Sequence, residues 1–588
     1  MKSLVMPFEA APDAIRRVSS PLPLYGARWV QRAVERLGFG AIGRGLRLRR
    51  FARAVGAGLE RMGLPGDGVV WLDPEAYREL ANAPPGEDER GGAIGSLLTG
   101  RCLLGSELIR IARSHGTGPQ EALGSAEALV RAGAALRFAA VEVDELGAVC
   151  RRCGSRDGIY PEQCAHCGSP FCPRCSRCAA MGTAKGCEPL YAMEAPLLDP
   201  EAPQNEGCPG EGGRLDPRLV ASLSEAQRRA FEALQAGVCV RFEAGGNPRA
   251  PGGCLVWAVT GAGKTEVAFG AADQVLQRGG RVLFATPRRE IAAEVAARAE
   301  RAFRGWPVRL LMGRSGAGSR AQAAGSGWSR PLGQELIVAT THQALRFFRA
   351  FALVILDEFD AFPYAGSDML GMAVERAAHP GGFGVIMSAT PGQAQVDRVR
   401  RRGWTVIYIP ARYHGRPLPV PQIWVHGAMR RWEEAPDDPG RVPEFIRNWL
   451  HGRRPGTRVL VFCPTVERVE KVARALRASA CHSRHPGRDR IVAEFAASRE
   501  RVLVTTTLLE RGVTFAGVDV LVLFADQDGV FDEAALVQMA GRCGRSPDRP
   551  EGRVLFAAAT RSRAMRRAVE SIAAMNERAR AAGLLRLV

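Results

Sequence analysis

The segment "CLVWAVTGAGKTEVAFGAA" sets an apolar stretch, a glycine turn and a helix-forming run in direct succession, with Lys264 and Thr265 opening the run. Backbone N–H groups from Gly261 through Ala262 and Gly263 to Lys264 can cradle phosphate oxygens there, and a helix N-terminus adds partial positive charge. Thr260 and Glu266 flank the turn. In this pattern Lys264 reaches the β- and γ-phosphates and Thr265 offers its hydroxyl to Mg²⁺. The first glycine of the usual eight-residue pattern is Ala258 here, so the strand–turn–helix context carries the assignment. The chain holds only four lysines, Lys2, Lys185, Lys264 and Lys471. One of them stands where a compact point charge suits the chemistry better than a guanidinium.

A second chemical signal is "LVILDEFDAFPYAG", where four apolar residues run into Asp357 and Glu358. Taken alone, two acids at a strand end can simply meet solvent. Downstream of a phosphate loop they read as a Walker B pair, with Asp357 holding Mg²⁺ through water and Glu358 orienting and deprotonating the attacking water. Further pieces follow in order. Gln227 in "LSEAQRRAFEAL" is placed to read an adenine edge. Thr286 and Arg288 ("FATPRRE"), Thr340 and Thr341 ("IVATTHQ"), and Thr505, Thr506 and Thr507 ("VLVTTTLL") sit at strand ends suited to phosphodiester contacts. The stretch Ser388, Ala389 and Thr390 ("VIMSATP") offers small hydroxyls, on Ser388 and Thr390, able to link nucleotide state to domain movement. Arg542 and Arg545 ("VQMAGRCGRS") are candidate arginine fingers, joined by Gln538.

The third signal is cysteine. Eight of the 15 cysteines lie between Cys150 and Cys187. Paired CxxC knuckles have the spacing of tetrahedral thiolate zinc. Cys150 and Cys153 with Cys175 and Cys178 form the preferred set; Cys164, Cys167, Cys172 and Cys187 offer a second. Spacing leaves the connectivity open. A four-sulfur site has no open position for water, so the zinc is structural, and such a knuckle folds only with its metal.

Elements must position these groups. A chain of 588 residues exceeds one core, so several domains are expected. The reading is an N-terminal region over 1–149 with helical stretches, a zinc-binding module over 150–190, a Pro/Gly-rich linker over 191–219, and two α/β units over 220–412 and 413–588. In each α/β unit apolar strands alternate with helical patterns, as parallel sheets require. A net charge of +19 favours a polyanionic partner, nucleic acid or an anionic membrane face. The run "GRGLRLRRFARAVG", with Arg44, Arg47, Arg49, Arg50 and Arg53, offers either a groove for such a partner or a solvated helix face. No apolar run reaches the ~20 residues of a membrane span. The start, with Glu9 and Asp13, is not a secretory signal, so a cytoplasmic protein is expected.

The ordered set of nucleotide motifs resembles the superfamily 2 motors, in which two tandem RecA-like (P-loop NTPase) domains hold ATP between them. Together with the cysteine module, "WAVTGAGKTE", "DEFDAFPY", "SATP", "RYHGRPLPVP", "TTTLLERGVTF", "QMAGRCGRS", "CRRCG", "CSRCAAMG" and "MNERARAAGLL" resemble the competence protein ComFA family from about residue 100 onward. That resemblance implies an ATPase that binds single-stranded DNA and powers its import through a ComEC-type membrane channel. ComFC-like and DprA-like partners and a place at the inner face of the cell membrane are implied with it. Phe359 stands where the family often has Val, and residues 1–100 have no clear match. Other readings are a duplex-unwinding replication-restart helicase resembling PriA and a zinc-dependent DNA-binding scaffold without motor activity. PriA carries its zinc module within the helicase part, and a silent site would have no need of Lys264, Asp357, Glu358, Arg542 and Arg545 together.

Overall fold

The computed structural model describes residues 92–199, 214–242, 252–313, 326–360, 364, 366–452, 456–497, 501–507 and 515–586, preceded by the strands Leu4–Met6, Ile15–Val18 and Val69–Leu72. The basic run at 44–53, residues 200–213 of the linker and residues 314–325 lie outside these residues.

The first lobe is a parallel sheet of β1 (Gly253–Ala258), β2 (Val282–Thr286), β3 (Val308–Leu311), β4 (Leu336–Thr340), β5 (Phe351–Asp357), β6 (Ala378–Ser388) and β7 (Thr405–Ile409). Their order across the sheet is β3-β4-β2-β5-β6-β1-β7. β5, "FALVILD", is buried along its whole length, which is why it reads as a continuous apolar run rather than an alternating one. The second lobe is parallel as well: β8 (Gln422–Val425), β9 (Arg458–Phe462), β10 (Ser479–Cys481), β11 (Val502–Thr505), β12 (Val518–Leu523) and β13 (Val554–Ala558), in the order β8-β13-β12-β9-β11-β10.

Ahead of the lobes, the helices Ala93–Leu98, Gly105–Arg113 and Pro119–Arg131 pack as a small apolar cluster with Leu103 and Tyr191. A three-stranded antiparallel sheet runs through this unit. Its central strand, Pro189–Ala192, pairs with Cys102–Leu104 on one side and Leu136–Ala139 on the other. Because that central strand follows the last clustered cysteine, the N-terminal helices and the cysteine module are one unit in space. The cysteines ride on two hairpins inserted between its strands, Val141–Asp144 with Gly147–Cys150 and Ile159–Glu162 with Cys172–Cys175.

In the first lobe the register aligns the C-terminal strand ends that matter for chemistry. Trp257 of β1 lies beside Ser388 of β6, Met387 of β6 beside Asp357 of β5, and Thr286 of β2 beside Thr340 of β4. In open α/β sheets ligands bind at this edge, where the chain reverses its order of adding strands.

Candidate functional site

Gly261 and Gly263 adopt φ of +78° and +72°, the left-handed region that lets the chain turn from β1 into the helix Lys264–Leu276. Gln227 lies against this loop. A Cβ on Gly263 would come within 2.2 Å of its amide nitrogen, while its amide oxygen accepts the Ser224 N–H at 2.9 Å. Thr265 is buried behind the loop, and Glu266 is paired with Arg298 from the next helix.

Lys264 Nζ lies 2.5 Å from Asp357 Oδ1. Burial would lower the lysine's pKa, but the carboxylates of Asp357, Glu358 and Asp360 outweigh it and hold the ammonium above its ordinary value. Burial pushes Asp357 in the other direction, upward, against the pull of Lys264. Glu358 has φ of +53°, a conformation that costs a non-glycine residue on the order of 1–3 kcal/mol. Its N–H donates to Asp357 Oδ1 at 2.8 Å, which fixes the kink at the end of β5.

The coupling residues meet the acids through Asp360. Thr390 Oγ1 donates to Asp360 Oδ2 at 2.7 Å, and the Thr390 N–H donates to Ser388 Oγ at 2.8 Å. Ala389 is buried between them. Asp360 had no role in the sequence reading; the signal was its spacing of three residues from Asp357.

The second lobe closes the site. Helix Glu533–Ala540 carries the half-buried Gln538 and ends at the turn with buried Arg542 and half-buried Arg545. A Cβ on Gly261 would lie 3.4 Å from Arg545 Cγ, so this arginine packs on the phosphate loop. Burial lowers its pKa, and Glu294 and Glu358 pull against that, which puts Glu358 within electrostatic reach across the cleft.

Of the seven residues expected to touch phosphodiesters, Thr286, Thr340, Thr341 and Thr505 are buried, while Arg288, Thr506 and Thr507 are half-buried. The hydroxyls of Thr286, Thr341 and Thr505 have no hydrogen-bond partner among the described residues. Thr286, Thr340 and Thr505 end strands that are flanked on both sides in their sheets, and the local sequence does not reveal this.

Cys150, Cys153, Cys175 and Cys178 converge, as do Cys164, Cys167, Cys172 and Cys187; within each group every sulfur lies within 4.8 Å of the others. Sγ–Sγ separations are 3.9 Å for Cys150–Cys178, 3.6 Å for Cys153–Cys175 and 3.7 Å for Cys164–Cys187. Four sulfurs at ~2.3 Å around a tetrahedral zinc are about 3.8 Å apart, so both groups fit the ion. None of these cysteines is in a disulfide. Arg152, inside the first knuckle, is buried and donates to Glu107 Oε1 at 2.8 Å. Arg346 from the segment after β4 donates to the same oxygen at 2.8 Å and to the Met181 carbonyl at 3.1 Å.

Three family descriptions match in chain order: Competence protein ComFA N-terminal domain over 89–192, DEAD/DEAH box helicase over 224–399, and Helicase conserved C-terminal domain over 441–547. The tandem lobes and their cleft define an ATP-hydrolysing enzyme of helicase superfamily 2. Competence protein ComFA of Bacillus subtilis (strain 168) is 31% identical over 435 residues, covering 73% of this chain and 85% of that protein. Its counterpart in Streptococcus pneumoniae is 33% identical over 334 residues, covering 55% and 73%. The chain belongs to the competence protein ComFA family. Among solved structures, S. cerevisiae Dbp5 bound to RNA and ADP BeF3 is similar at a TM-score of 0.41 and 16% identity, covering 62% of this chain and 92% of that one.

Proposed function

We propose that this ATPase is a single-stranded DNA translocase that powers import of transforming DNA across the cytoplasmic membrane. The observation that carries the reading is the Lys264–Asp357 pair at 2.5 Å, with Arg545 of the second lobe packed on the phosphate loop at Gly261. On nucleotide binding Lys264 would exchange Asp357 for the β- and γ-phosphates, while Asp357 and Thr265 would hold Mg²⁺, whose charge offsets that of the triphosphate. Glu358 would take the proton of the attacking water, and Arg542 and Arg545, with Gln538, would steady charge on the transferred phosphoryl group. Gln227 would read the base.

Thr390 and Asp360 would carry the nucleotide state from the acid motif into β6. DNA would pass over the strand ends at 286–288, 340–341 and 505–507. Arg288, Thr506 and Thr507 supply side chains there, and the buried Thr286, Thr340, Thr341 and Thr505 shape the backbone beneath them. Each cysteine group would hold one Zn²⁺ as a structural ion. Family membership supports ComFC-like and DprA-like proteins and a ComEC-type channel as partners, at the inner face of the membrane. No helix among the described residues is long and apolar enough to cross it.

The test is ATP turnover by the full chain with and without single-stranded DNA. Stimulation by DNA, lost in Lys264→Ala while DNA binding persists, supports the motor; turnover indifferent to DNA would sink it. Strand displacement on a forked duplex would make the protein an unwinding helicase instead.

A further inference from the structure

We infer that Arg412, in the connection between the lobes, is a positioning residue that holds the phosphate loop and the arginine-bearing turn in register during ATP hydrolysis. It belongs to the "RYHGRPLPVP" stretch between β7 and β8, and it is only 1% exposed. Its guanidinium reaches both walls of the cleft. Nε donates to the Thr260 carbonyl of the first lobe at 3.1 Å. Nη1 donates to the Cys543 carbonyl at 2.7 Å and to that of Gly544, and Nη2 donates to the Gly541 carbonyl at 3.0 Å.

None of these acceptors is a carboxylate. Burial, with Arg545 nearby, pushes the Arg412 pKa down to about 10, so the side chain stays charged at neutral pH. Three of its acceptors follow the C-terminal end of helix Glu533–Ala540, where the helix dipole presents partial negative charge. That gives a buried cation a seat without a counter-ion, and it places the seat on the turn that carries Arg542 and Arg545.

The neighbours in the linker point the same way. His414 Nδ1 accepts the Arg416 N–H at 3.1 Å, so the ring proton sits on Nε2, which donates to the Gly544 carbonyl at 3.2 Å. Tyr413 Oη donates to the Arg545 carbonyl at 3.5 Å. The lobes meet closely here: a Cβ on Gly541 would stand 2.1 Å from Thr260 Oγ1. A lysine at 412 would keep the charge but present one nitrogen in place of a planar fork, so it could not bond both walls in this geometry. The inference rests on the ATPase chemistry alone, whichever polymer the motor follows.

The experiment compares wild type, Arg412→Lys, Gly541→Ala and the double variant as full chains. It measures kcat and KM for ATP and the affinity for a fluorescent non-hydrolysable ATP analogue. Arg412→Lys should lower kcat at least tenfold with KM within threefold and analogue binding retained. Gly541→Ala keeps helical backbone but wedges the lobes apart, and should do the same. Because both act on one contact, the double variant should be no slower than the slower single variant. Wild-type kcat in Arg412→Lys, losses that multiply in the double variant, or analogue binding that falls as far as turnover would overturn the proposal. If Arg412→Lys gives no folded protein, Gly541→Ala decides alone, and turnover within twofold of wild type overturns it.

Discussion

Cys150, Cys153, Cys175 and Cys178 are all buried, whereas Cys167 and Cys187 of the other group are half-buried. The first four share an apolar cluster with Phe347, Phe351, Ala373 and Val374 of the first lobe; none of the second four belongs to it. Around the first group, Arg152, Glu107 and Arg346 form a buried charge network, and Arg376 of the lobe donates to the Arg151 carbonyl at 3.1 Å. Around the second group lie the exposed ring of Phe171 and the half-buried pair Arg174–Glu162. Two sites with the same donor atoms and similar spacing therefore differ in what depends on them. The first is continuous with the segment Thr341–Arg346 that follows β4, and the second ends at solvent.

The largest effect should come from Cys150→Ser. It should release one zinc per chain and lower the unfolding temperature of the first lobe along with its own unit, since metal binding and folding are coupled and the core is shared. Metal analysis with calorimetry checks this; loss of zinc with an unmoved first-lobe transition would break the comparison. Glu107→Gln comes next. It leaves buried Arg152 and half-buried Arg346 without their common counter-charge and should cost about 3 kcal/mol in denaturant unfolding, with zinc content unchanged. A cost below about 0.5 kcal/mol would mean that the network does not join the two units.

Cys164→Ser should also release one zinc but shift the first-lobe transition by less than about 1 kcal/mol, because local opening at the tip need not propagate into the lobe. A shift equal to that of Cys150→Ser would make the two sites equivalent. Smallest of all, Phe171→Ser should change stability by no more than about 0.5 kcal/mol, as expected of an exposed ring. A larger loss in chemical unfolding would show that the second group is packed in solution.

The phosphate loop and the acid pair were legible because each is contiguous: the turn Thr260–Thr265 and the strand end Asp357–Glu358 carry their chemistry within a few residues. The cysteine knuckles were legible for the same reason. Alternation of apolar strands with helices announced the two parallel sheets. The antiparallel strand Pro189–Ala192 was not legible, because its partners lie far back in the chain and a short strand has no distinctive period. Asp360, three residues past Asp357, was given no role, because its bond to Thr390 is set by the neighbouring strand β6.

By itself, then, the amino-acid order determined which backbone turns could hold phosphate, which thiols could share a metal, and that two α/β lobes would follow. Tertiary structure alone decided that Thr286, Thr340, Thr341 and Thr505 are buried, that Glu107 meets Arg346, and that Arg412 spans Thr260 and Gly541. The physical reason is separation along the chain. Local geometry follows from covalent connectivity and φ/ψ preference, whereas a buried charge far from its partners in sequence finds them only when the lobes and the cysteine unit pack.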